Sequence, residues 1–188
     1  MQLVLASSSP RRQALLSVLT SDFICRKPDL DETAFAGEAA SSYVVRLARE
    51  KAHSIRDVGS LSLGADTAVV VDGDILGKPA NRPEARAMLE RLSGRSHEVF
   101  TAIATWNGRE LMSSIVSTEV TMMELSPSLI ETYLDTDEPW DKAGAYAIQG
   151  IAGSFIPAIR GSYSGVVGLP LCETRDLLLA AGLTLQHD

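Results

Sequence analysis

The stretch Leu61-Ser-Leu-Gly-Ala-Asp66-Thr67-Ala-Val-Val-Val71 reads as a buried β-strand. It is rich in β-branched residues and ends on the turn signal Asp72-Gly73. A carboxylate, Asp66, stands in its middle. Burying an unpaired carboxylate costs several kcal/mol, so its charge must be paired or neutralised. Any fold this chain adopts has to satisfy that demand at the centre of an apolar strand. Position alone leaves two readings open: a structural aspartate bonded to a neighbouring loop, or a working one.

The 188 residues are enough to bury a core, and a single domain over residues 1–188, in two lobes, is the expectation. A net charge of -7 argues against broad binding to nucleic acid or to an anionic membrane. A small anionic substrate needs only a local group of cations. Cys25 and Cys172 match no metal or redox spacing, suit a reducing compartment and are expected as packed thiols. His53, His97 and His187 are too scattered for a histidine metal site or a Ser-His triad. The N-terminus has no basic flank and only a short apolar run before Ser7-Ser-Ser-Pro10, so neither a signal peptide nor a membrane span is expected, and cytoplasm is the default.

Strand and helix patterns alternate from the start. Residues 2–6 read as a strand and 11–19 as a helix, with Ser9 as N-cap and Pro10 at the first helical position. A strand is expected at 22–27, an acidic loop at 28–37 and a longer helix at 39–56. After the Asp66 strand the chain returns through Ile75-Leu76 into Gly77-Lys78-Pro79. A helix follows at 83–92, then a hairpin of 98–106 and 110–123 around Asn107-Gly108, and a short helix at 126–134. Residues 138–164 are Gly-rich and read as irregular, yet hold enough apolar residues to fold over a site. The chain ends in 166–171 and a last helix to about 181. This is an α/β pattern with a mixed sheet.

Some cations lie on the wrong face. With about 100° per residue, Lys51 falls within the apolar arc of Val44, Leu47, Ala48 and Ile55. It either snorkels past the core or reaches into a cleft for an anion. Arg12 shares the face of Leu15, Leu16 and Leu19 and sits in a helical first turn, where an anion is favoured. Ser7, Ser8 and Ser9 offer hydroxyls beside it; the plainer alternative is a Ser-rich cap with solvated arginines. Lys78 is framed by a permissive glycine and a rigid proline. Asp29, Asp31 and Glu32 either form a solvated acidic loop or, with Asp66, supply oxygen ligands to Mg²⁺ or Mn²⁺. Together these residues describe a polyanion-plus-metal site suited to phosphoryl chemistry.

The same residues carry a resemblance. Leu5-Ala-Ser-Ser-Ser-Pro-Arg-Arg12, Asp31-Glu32-Thr33, Arg46-Leu-Ala-Arg-Glu-Lys51-Ala52, Gly64-Ala-Asp66-Thr67, Gly77-Lys78-Pro79, Asp141-Lys-Ala-Gly-Ala-Tyr-Ala-Ile-Gln149-Gly150 and Val167-Gly-Leu-Pro-Leu171 run in order along nearly the whole chain. By them the chain resembles the Maf family of nucleoside triphosphate pyrophosphatases. The resemblance implies an elongated, twisted mixed β-sheet flanked by helices, with two lobes and a deep central cleft (Maf/ITPase-like). It implies hydrolysis of a nucleoside triphosphate to monophosphate and pyrophosphate with a divalent metal. Asp66 would accept a proton from water, Ser9, Arg12, Lys51 and Lys78 would grip the phosphates, and Glu32 with Asp66 would serve the metal. Arg11, Thr67 and Gln149 match the branch acting on dTTP and UTP, which would also remove modified pyrimidine triphosphates. The branch acting on 7-methyl-GTP typically carries Trp, Gln and Glu there. A neutral Gln amide can pair with the donor and acceptor edge of uracil or thymine. The rival readings are a 7-methyl-GTP pyrophosphatase and a non-enzymatic nucleotide-binding regulator, since the family name is tied to septum formation. A homodimer is an expectation of the family alone.

Overall fold

The computed structural model describes residues 1–55, 57 and 59–185. The elements run β1 (Gln2–Leu5), α1 (Pro10–Leu19), β2 (Phe23–Cys25), α2 (Ala40–Ser54), β3 (Ser60–Val71), β4 (Asp74–Leu76) and α3 (Arg82–Leu92). They continue with β5 (Ser96–Trp106), β6 (Leu111–Thr121), α4 (Pro127–Leu134), β7 (Ala158–Arg160), α5 (Tyr163–Val167) and α6 (Leu171–Ala180). Among the described residues the strands form one mixed sheet in the order β2-β1-β3-β5-β6-β7, with β4 also paired to β3. No helix among them is long and apolar enough to cross a membrane.

Strand β3 organises this sheet. One of its edges pairs continuously with β5 over residues 62–70. The other edge is divided: β1 runs parallel to residues 60–63, and β4 returns antiparallel against 69–71. Residues 64–68 have no strand partner there among the described residues, and Asp66 lies in that gap.

Side chains alternate across β3, so its two faces meet different layers. On one face, Ala68 and Val70 pack with Ala102 and Ala104 of β5 against Val44, Ala48 and Ala52 of α2. On the other face there are two separate cores. Leu61, Leu63 and Ala65 join Leu16 of α1 and Leu178 of α6. Val69 and Val71 join Leu89 and Leu92 of α3 and Tyr133 of α4. Thr67 is the residue between these two apolar sets, at the seam.

Several expectations are corrected. β2 is shorter than the expected 22–27, and among the described residues parallel pairing is confined to β1 with β2 and β3. The stretch 138–164 is less irregular than it reads. It holds 3₁₀ turns at Pro139–Asp141, Ala143–Ala145 and Ile151–Phe155, then β7 and the start of α5. β7 carries only exposed side chains, so no apolar alternation marks it. Cys25 and Cys172 are exposed free thiols and not packed ones, because one lies on the edge strand β2 and the other in the first turn of α6. The expected end of the second helix at Arg56 lies outside the described residues.

Gly64 sets how closely α2 approaches β3. A Cβ at this position would stand 2.2 Å from the Ala48 carbonyl oxygen and 2.5 Å from the Ala52 nitrogen. Both are backbone atoms of a helix and cannot yield without moving α2. Gly64→Ala is therefore expected to destabilise the protein by about 3 kcal/mol, the upper end for overpacking a tight core. For a domain of this size that is about 6–12 °C in Tm by calorimetry, and an unchanged Tm would mean that α2 is free to shift.

Candidate functional site

The gap on β3 opens into a cleft of about 600 Å³. Its lining includes Ser7, Ser8, Ser9, Arg11, Arg12, Glu32, Lys51, Asp66, Thr67, Lys78 and Gln149. Of the residues singled out from the sequence, these reach one cavity, whereas Asp29 and Asp31 of the acidic loop do not line it. The lining residues arrive from the loop after β1, from α1, the acidic loop, α2, β3, the loop after β4 and the turns before β7.

Asp66 is 6% exposed. Lys51, from the facing side of α2, donates from Nζ to Asp66 Oδ1 at 2.7 Å and pairs with Glu32 Oε1 at 2.9 Å. Its side chain does not snorkel to bulk water. It bridges the two carboxylates that the resemblance assigns to the metal. An ammonium has three N–H groups, so one remains for a further acceptor. Burial pushes the Asp66 carboxyl above the usual carboxylate range, and the charges of Lys51 and Arg12 pull it part of the way back. Among the described residues, no group of three or more His, Cys, Asp or Glu side chains could hold a metal ion.

Ser9 caps α1, its Oγ accepting from the Arg12 backbone nitrogen at 3.4 Å. The cap uses a lone pair of the oxygen, so the hydroxyl hydrogen stays available to an anion. Arg12 is half-buried, and its Nε donates to the Gly168 carbonyl oxygen at 2.9 Å while its Nη2 donates to Thr67 Oγ1 at 3.3 Å. Arg11 reaches across the cleft to Asp141 at 3.3 Å. Asp141 is exposed and Arg11 partly so, and a pair this open to water adds little stability. Lys78 is exposed, on a loop tied down by the Gly144 nitrogen donating to the Gly77 carbonyl at 3.0 Å. Gln149 is exposed on the rim beside the last 3₁₀ turn.

Several supporting residues escaped the sequence. The Tyr43 hydroxyl donates to the Glu32 carbonyl at 3.0 Å. Arg46 pairs with Glu38 at 2.7 Å and stacks over Phe35, so the acidic loop is pinned to α2. Arg46 holds the Glu38 carboxyl down at about 2. Glu138 accepts from the backbone nitrogens of Ile151 and Ala152 at 2.7 and 3.0 Å and from the Tyr133 hydroxyl at 2.8 Å, fixing the turn that carries Gln149. Helical spacing could have flagged Arg46 with Glu50; nothing local marks the longer-range partners.

Residues 2–181 match the family described as Maf-like protein. A dTTP/UTP pyrophosphatase of Pseudoalteromonas atlantica is 50% identical to this chain, over 99% of this chain and 99% of the relative. A protein of the same name from Myxococcus xanthus is 52% identical, over 97% and 94%. Among solved structures, a HAM1 protein from Coxiella burnetii superposes with a TM-score of 0.54 at 18% identity, over 96% of this chain and 99% of that one. That last likeness is one of fold.

One wall of the cleft, Tyr146, is backed by a buried histidine. His97 Nε2 lies 2.8 Å from the Tyr146 hydroxyl, its Nδ1 is buried without a partner among the described residues, and the two rings meet edge to face. Burial holds the His97 pKa at about 4, against an ordinary value of 6.5. The unfolded chain therefore binds a proton between these limits that the folded chain refuses. Stability is expected to fall as pH drops from about 6.5 towards 4, at up to about 1.4 kcal/mol per pH unit from this one group. Urea unfolding at stepped pH checks this. His97→Gln should flatten the slope over that interval, and an unaltered slope would show that His97 is not its source.

Proposed function

The chain belongs to the Maf family, and from that premise we propose that it hydrolyses nucleoside triphosphates, preferably dTTP and UTP, to the nucleoside monophosphate and pyrophosphate. The observation that carries the reading is the group at the centre of the cleft. A buried carboxylate of raised basicity, Asp66, shares one ammonium with Glu32 and feels the charge of Arg12.

Asp66 acts as general base, taking a proton from the water that attacks phosphorus. A carboxylate held above its ordinary pKa is better matched to that task at neutral pH. Arg12, Lys78, the third N–H of Lys51 and the Ser9 hydroxyl offset the charge of the phosphate chain, and Arg12 is held in place for this by Gly168 and Thr67. Glu32 and Asp66 are hard oxygen donors that meet at the Lys51 ammonium, and they would hold Mg²⁺ or Mn²⁺ together with oxygens of the substrate. When bound, such a cation would neutralise phosphate charge and polarise the attacked phosphorus. On the rim, the neutral Gln149 amide suits the donor and acceptor edge of a pyrimidine and gives no ion pair to a cationic methylated guanine. Two free exposed thiols go with a reducing, cytoplasmic setting.

Purified protein incubated with a panel of triphosphates and Mg²⁺ or Mn²⁺ should release pyrophosphate fastest from dTTP and UTP. Much faster turnover of 7-methyl-GTP would overturn the specificity. Asp66→Asn should lower kcat by about 10³-fold, the middle of the range for a general base, while nucleotide binding persists. Near-normal pyrophosphate release from Asp66→Asn would remove Asp66 from the chemistry and favour a binding protein.

A further inference from the structure

Thr101 of β5 stands directly opposite Thr67 of β3 in the sheet register and is 1% exposed. Its Oγ1 lies 2.7 Å from the Gly165 carbonyl oxygen and 3.0 Å from Thr67 Oγ1. The carbonyl can only accept, so the one Thr101 hydrogen is directed at Gly165, and the longer contact to Thr67 completes a hydroxyl–hydroxyl pair. Thr67 Oγ1 accepts from Arg12 Nη2 at 3.3 Å, and Arg12 Nε donates to the Gly168 carbonyl at 2.9 Å. Gly165 and Gly168 are linked through the short helix α5, whose end is held by the Gly168 nitrogen on the Ser164 carbonyl at 3.0 Å. The contacts therefore close into a ring: Arg12, Thr67, Thr101, Gly165, then along the chain to Gly168 and back to Arg12.

We propose that Thr101 is a positioning residue for Arg12, acting through Thr67. Three consequences follow from the ring. Thr67 Oγ1 is held between Thr101 Oγ1 and Arg12 Nη2, which fixes the acceptor that Arg12 meets. Arg12 is held at two of its five N–H groups and presents the remaining three to a polyanion in one orientation. Gly168, at φ 131°, adopts a backbone conformation that side-chain-bearing residues rarely reach, and this turn brings its carbonyl to Arg12. Thr67 therefore bears on the substrate first by fixing a phosphate-binding guanidinium, whatever it touches beyond that. The proposal rests on Arg12 gripping the phosphates.

The test is a double-mutant cycle on kcat/KM for dTTP, with Tm measured alongside. Thr101→Val removes the hydroxyl at nearly constant volume and should lower kcat/KM about tenfold, the scale of one orienting hydrogen bond, with a small change in Tm. Thr101→Ser keeps the hydroxyl and should stay within about twofold of the parent protein, since the relay is intact. In a Thr67→Val background, Thr101→Val should cost little more, because the relay is already cut. Wild-type kinetics in Thr101→Val, or full additivity with Thr67→Val, would overturn the proposal. If Thr101→Val fails to fold, Thr101→Ser still decides: a tenfold loss there would mean that packing and not the hydroxyl matters. Arg12→Gln separates the layers. Full activity in Arg12→Gln defeats the phosphate role itself, whereas a crippled Arg12→Gln beside a normal Thr101→Val defeats only the relay.

Discussion

One ammonium between two carboxylates sets the terms for the rest of the structure. Asp66 is buried in the middle of a strand, where an unpaired charge would be too costly to keep. Lys51 supplies the pairing and at the same time ties down Glu32, whose side chain stays exposed on the acidic loop. For Lys51 to reach, α2 must lie almost in contact with the backbone of β3, and Gly64 is the residue that permits it. A buried ion pair of this kind is weak support for stability, because desolvation offsets much of its attraction. Its retention is better explained by what it does to Asp66: burial keeps the carboxyl basic, and the ammonium draws it only part of the way back while keeping its charge from being left alone.

The cleft itself is a product of strand pairing. Because β1 and β4 divide one edge of β3, the strand is uncovered in between, and consecutive residues there serve opposite faces. Asp66 turns to α2 and the acidic loop; Thr67 turns to α1 and α5. On the proposed mechanism, proton transfer and phosphate orientation are thereby referred to a single strand. On the Thr67 face the apolar core is interrupted, with separate clusters to either side. A small hydroxyl residue at that seam leaves room for the Arg12 guanidinium where a larger apolar side chain would close it.

Much of this was legible before any coordinates. The alternation of periods two and 3.6 gave the mixed α/β architecture, and helical phase placed Lys51 and Arg12 on core-facing surfaces where the structure has them. The buried strand around Asp66 was readable because its β-branched residues leave little else to form. The failures have a common cause. β7 is short and exposed on both faces, so it exists through pairing with β6 alone. The cysteines lie on the surface because of where an edge strand and a helix turn fall in space. Thr101, His97 and Glu138 support the site through partners 34 to 64, 49 and up to 14 residues away, respectively, and such contacts leave no local pattern. Helical phase showed that Lys51 faced something, but only the fold showed that it faced two carboxylates at once.

The most direct test of this account is the titration of the Asp66 side-chain carbon by ¹³C NMR, in the parent protein and in Lys51→Met. It needs no activity and reads the shared ammonium at the atom that matters. The Asp66 midpoint should lie above the ordinary 3.8 in the parent protein, where burial outweighs the nearby cations. It should move higher still in Lys51→Met, where the nearest of those cations is gone. A midpoint at or below 3.8 in the parent protein, or one unmoved by Lys51→Met, would contradict the account.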